Sequence, residues 1–162
     1  MKVSEAYAYA QTPEGLKAAK AFMDRPRLLE NRLTLLYARM DALRDKMYPG
    51  GSPDGMPRAS GHGDKTGRIA SKMCELEEET EKTLHALALA RERRKRLLQD
   101  LPEGESRQAL TLLYLENLSS LAAADRMYLE QRQFFRHVNR GLVHVAMRLA
   151  MDPTCADGEK MV

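Results

Sequence analysis

Apolar residues recur along this chain in steps of four and three, which predicts helices almost throughout and no strand. From 25 to 47 they fall at Leu29, Leu33, Leu36, Met40, Leu43 and Met47, one side chain per turn along a single seam. Ile69, Met73, Leu76, Thr80, Thr83, Leu87, Ala90, Arg94, Leu97 and Leu101 keep the same spacing through a second helix expected over about 65–100. The middle of that second seam is polar or small, and Arg94 is a misfit for a closed interface. An antiparallel hairpin is the simplest way to bury both seams, and a self-associating coiled coil is the rival. Either arrangement makes 25–100 an arm for association.

Breaks in the pattern set the remaining boundaries. Residues 48–67 contain six Gly and three Pro and read as a loop open to proteolysis. Near the start, Thr12-Pro13-Glu14 is a helix-start signal, with Thr as cap and Pro at the first helical position. The helix it opens is expected to run to about Met23, with Leu16, Ala19 and Phe22 or Met23 on one side, before Asp24 and Pro26 restart the chain. Leu101-Pro102-Glu103-Gly104 ends the second long helix. The expected organisation is therefore all-α: a short N-terminal helix within 1–24, a helical hairpin over 25–100 with its loop at 48–67, a helix-turn-helix domain over 104–150, and a disordered tail over 151–162.

The stretch 116–142 carries the most chemical information. Ser119 stands where an N-cap belongs, and its hydroxyl can accept from the first-turn amides. Leu121, Ala122, Ala123, Ala124 and Met127 give a short helix with a small apolar face, on which three alanines would let a second helix cross closely. Tyr128, Leu129 and Glu130 supply a turn. A longer helix over 131–148 then places Phe134, Val138, Leu142 and Val145 on its inner side. Its other face carries Gln131, Arg132, Gln133, Arg136, Asn139 and Arg140 and no carboxylate. Such side chains make forked hydrogen bonds to base edges and phosphates.

This segment resembles, without gaps, region four of bacterial sigma factors, the domain that reads the −35 promoter element. It is more similar still to phage late-transcription regulators of the ArpU and RinA type. Leu118-Ser119 opens the shared pattern and Glu130-Gln131-Arg132-Gln133-Phe134-Phe135-Arg136 closes it, while Gln108–Tyr114 resembles the family's preceding helix. The resemblance extends more loosely over 28–148. Ala122 stands where Glu is common, and Glu130 where the family has an N-cap Ser, a weaker cap placed near phosphates. The resemblance implies an activator of phage late or packaging genes, working in the cytoplasm of a bacterial host on double-stranded DNA, with RNA polymerase as a candidate second partner.

Composition narrows this without choosing. The chain has 162 residues, a net charge of +3, no Trp and three Phe. A complete sigma factor needs aromatic side chains to hold flipped −10 bases, and two of these three Phe lie inside the motif. Charge distribution says more than the total. Residues 107–148 hold six Arg against three carboxylates, and 91–96 hold five basic residues. Arg93, Arg94 and Lys95 from that block are candidate auxiliary phosphate contacts. Cys74 and Cys155 show no metal or disulfide spacing, so a reducing cytosol fits. The N-terminus lacks the apolar core of a signal peptide, and no apolar run is long enough for a bilayer, so no membrane partner is expected.

Other chemistry has plainer explanations. His137 and His144, seven apart, lack a second pair for a metal and read as surface or groove residues. Asp125 and Glu130 read as capping groups or as a local pair with Arg126. The methionines fall at core positions as adaptable packing. No Ser/His/Asp order, phosphate loop or CxxC occurs, so no catalytic residue, metal or cofactor is expected. Two further classes stay open beside the regulator. A small terminase-like packaging protein would show as a ring-shaped oligomer, and a helical adaptor would bind polymerase without DNA.

Overall fold

The computed structural model describes residues 2–47 and 65–152. Six helices and no strand occur among them. They are α1 (Val3–Ala10), α2 (Pro13–Met47), α3 (Lys65–Gln99), α4 (Glu105–Tyr114), α5 (Ser120–Arg126) and α6 (Gln131–Met151). The all-α expectation holds. The expected loop 48–67 and tail 151–162 fall mostly outside the described residues, although 65–67 already belong to α3 and Met151 still belongs to α6.

Contacts divide the chain into two compact units, Met1–Pro26 with Ala90–Val162, and Arg27–Leu89. The division falls inside α2 and α3, not at their ends.

Within Arg27–Leu89, both seams are inward as the spacing predicts. Leu33, Leu36, Thr80, Thr83 and Leu87 are buried, and Leu29, Met40, Leu43, Ile69, Met73 and Leu76 are half-buried. Arg32 pairs with Glu79 at 2.8 Å, and Thr80 Oγ1 lies 3.7 Å from Met40 Sδ. Arg32 and Glu79 each stand one residue before a seam position, and such residues meet across an interface when the two helices run in opposite directions. Thr80 and Thr83 can sit in the seam because each hydroxyl donates to the carbonyl four residues back, Leu76 and Glu79, both at 2.7 Å.

The other unit starts with a helix that the apolar pattern did not announce. α1 buries only Ala6 and Ala10, and it packs against α6. A sharp turn follows, and Thr12 caps α2 as expected, its Oγ1 accepting from the Gly15 amide at 3.1 Å. A Cβ on Gly15 would lie 2.4 Å from the Tyr9 carbonyl oxygen, so glycine is what lets the two helices approach.

The expected break at Asp24–Pro26 does not occur, and α2 runs on without interruption. Proline removes one amide from a helix and pushes on the preceding turn, which leaves the Phe22 carbonyl without its intrahelical donor. Here the Pro26 ring is fully buried, and the guanidinium of Arg94 donates to the neighbouring Met23 carbonyl at 3.2 Å. Burial of the ring accommodates the proline inside the helix, while the Arg94 bond, made to the next carbonyl along, gives this inward-facing guanidinium a buried partner on α2.

Around these segments Phe134, Leu110, Leu142, Val145 and Met23 form one contiguous apolar cluster with Leu97, Leu98 and Leu101. α4 and α6 cross closely at Gly141, where a Cβ would come within 2.7 Å of Leu110 Cδ1. Among the described residues, no helix is long and apolar enough to cross a membrane.

Candidate nucleic-acid interface

The polar face of α6 is built from the residues beneath it. Phe134, Val138, Leu142 and Val145 are all buried, as their spacing predicts. That fixes the rotation of the helix and turns Gln131, Arg132, Gln133, Arg136, Asn139 and Arg140 outward, all six exposed. The face is short. Beyond Arg140, Val143 and Met147 are half-buried against the core, and α1 and α4 both pack on this helix. About three helical turns at the N-terminal end remain open.

α5 and the turn set where that end lies. Ser119 caps α5, its Oγ accepting from the Ala122 amide at 3.2 Å. Ala123 and Ala124 are buried, but Ala122 is exposed and Leu121 is 60% exposed. Two alanines rather than three therefore form the contact face, because a helix of seven residues turns only one narrow side to its neighbour. The chain leaves α5 through Tyr128 at φ 56°, a left-handed position usually filled by glycine, and the Leu129 amide donates back to the Ala124 carbonyl at 3.0 Å. Leu129 packs on the core, which anchors the turn. A residue with a Cβ there costs about 1 kcal/mol relative to glycine.

Glu130 is the N-cap of α6 but its side chain makes no capping bond. Its charge still faces the positive end of the helix dipole. Gln131 Nε2 lies 3.5 Å from Ser120 Oγ, a long contact joining the starts of α5 and α6. Arg126 pairs with Glu116, because the loop carrying Glu116 returns beside it. Of the two alternatives for Asp125 and Glu130, capping or a local pair with Arg126, the pair is not formed among the described residues.

Two histidines flank the polar face. His137 Nε2 is 3.2 Å from Glu105 Oε2 at the start of α4. With His144, Arg140 and Arg107, it lines a cleft of about 200 Å³ above Gly104 and Gly141. Arg140 thus stands where the outward face meets this cleft.

The basic block of α3 separates into different roles. Lys95 is exposed and Arg93 is half-buried. Arg94 is only 7% exposed and bound to the Met23 carbonyl, which corrects its expected place among phosphate contacts. The seam spacing already placed Arg94 inward; the basic run around it pointed the other way. Arg96 pairs with Glu92 at 2.9 Å.

Beside the cluster, burial raises the Tyr114 phenol above its ordinary value of 10.0; Asp24 adds to the shift and Arg94 opposes it.

Comparison with protein-family models, with curated proteins and with solved structures finds no match to this chain.

Proposed function

We propose that the chain is a DNA-binding transcriptional regulator that lays the first turns of α6 in a major groove. In this reading α5 and α6 are a helix-turn-helix of the sigma region-four kind. Arg27–Leu89 is a helical hairpin that serves as an arm for association. The resemblance of 116–142 supports a role as a phage late-gene activator of the ArpU and RinA type, and the arm is a candidate surface for RNA polymerase.

The observation that carries the reading is the exposed, carboxylate-free face of Gln131, Arg132, Gln133, Arg136, Asn139 and Arg140 on a helix whose opposite side is locked into the core. Arg forks match guanine O6 and N7, and Asn and Gln match adenine N6 and N7. Recognition helices present their N-terminal residues to base edges, which is the open end of α6.

Selection of bound sequences from a random double-stranded DNA library tests it. A defined site should emerge, and Arg136→Ala should weaken binding to it by about 1–3 kcal/mol and relax one base position. Absence of any enriched sequence overturns the reading. Equal weakening on specific and random DNA makes Arg136 a phosphate contact.

A further inference from the structure

Among the large apolar residues of α6, Phe135 alone is exposed, at 44%. It lies four residues after Gln131, three after Arg132 and four before Asn139, so it shares their side of the helix. Single exposed apolar residues are ordinary on protein surfaces. This one differs in its neighbours and in how its ring is held. The ring meets Phe134 in an edge-to-face arrangement, with centroids 6.0 Å apart and planes at 68°. Phe134 is completely buried and cannot yield, so the exposed ring has a rigid support. The polar face therefore contains one positioned hydrocarbon surface among its hydrogen-bonding groups.

We propose that Phe135 is a specificity-determining residue that packs on the 5-methyl group of a thymine. The inference rests on the reading of α6 as the helix in the major groove. There the edges of adenine, guanine and cytosine offer hydrogen-bond donors and acceptors, and only thymine adds a methyl group. A phenyl ring between Gln131, Arg132 and Asn139 can discriminate by removing that methyl from water. It leaves the neighbouring polar side chains to read adjacent positions.

The test begins with the site obtained by selection and replaces each thymine in turn by deoxyuridine, which removes the methyl and keeps the base pair. One replacement should weaken binding of the full chain roughly fourfold, the worth of one buried methyl group. With Phe135→Ala that loss should vanish, while preferences at other positions stay. Phe135→Leu should keep part of it. Thermal unfolding of both variants near the parent value establishes that the surface change left the fold intact. A defined site at which every thymine tolerates deoxyuridine, or a methyl effect that survives Phe135→Ala, overturns the proposal and leaves the DNA reading standing. A library that yields no site overturns both.

Discussion

In the unit of Met1–Pro26 and Ala90–Val162, side chains from several helices enclose Phe134, Leu110 and Leu142 completely. In Arg27–Leu89, two helices share one seam, whose buried members are Leu33, Leu36, Thr80, Thr83 and Leu87. The same helical pattern therefore produces two kinds of stability. A cluster enclosed from several directions loses many contacts together when one member is truncated. A single seam loses them turn by turn, and its two threonines already contribute little apolar area. Leu28 and Leu35, on the outer side of α2, remain more than 60% exposed, so the outer surface of this unit adds little burial. Opening free energies within one chain can span from near zero to the global value, and a lone seam belongs toward the lower end.

The largest expected effect comes from breaking the enclosed cluster. Phe134→Ala should lower unfolding free energy by about 3–5 kcal/mol and abolish the cooperative melt of the unit that holds α6. Denaturant unfolding followed by circular dichroism measures it. A change below about 1 kcal/mol would mean the cluster relaxes around the gap and is not tightly packed.

Truncation within the seam is the sharper comparison. Leu36→Ala should cost about 2–3 kcal/mol, near the lower end for a buried leucine, because water and neighbouring side chains can reach a two-helix interface. Hydrogen exchange should quicken across Arg27–Leu89 and remain slow at α4 and α6. Equal quickening in both units would show that they unfold as one.

The spacing showed which side of each helix turns inward, but not where the units divide. The seam pattern runs on through Ala90, Arg94, Leu97 and Leu101, which group with the chain's two end segments. The 4-3 series placed all the described seam residues inward, and the four-residue steps from Phe134 gave the inner side of α6. Ser119 fulfilled its capping role because that preference depends on local geometry alone. What escaped was settled at long range. α1 has no large buried residue to announce it, since alanines do its packing. Pro26 looked like a stop because the packing that buries its ring is tertiary, and Arg94 looked like a phosphate ligand because its partner, the Met23 carbonyl, is far away in sequence. The spacing left Phe135 off the inner side of α6, but its edge-to-face contact with Phe134 depends on ring orientations that no pattern reveals.

The smallest effect concerns pH. Tyr114 is held neutral by burial, with its phenol raised above 10.0. A raised value means the folded state resists deprotonation, so this contribution is complete below the ordinary phenol value and is lost as pH climbs through the raised one. Tyr114→Phe should therefore make stability decline less steeply above pH 10.0. Urea unfolding at several alkaline pH values checks this, and an unchanged slope would place the alkaline sensitivity elsewhere.

The unit that holds α6 is assembled from the two ends of the chain, with Arg27–Leu89 intervening. This imposes an order on biosynthesis. α1 packs on α6, so a helix ending at residue 10 has its partner synthesised from residue 131 onward. At roughly 5–20 residues per second, the N-terminal segment waits for several seconds with Leu16, Phe22 and Met23 uncovered. Contacts separated this widely also slow refolding, because chain closure precedes any gain from burial. Nascent chains stalled before residue 131 should therefore be the ones most open to chaperones and to aggregation.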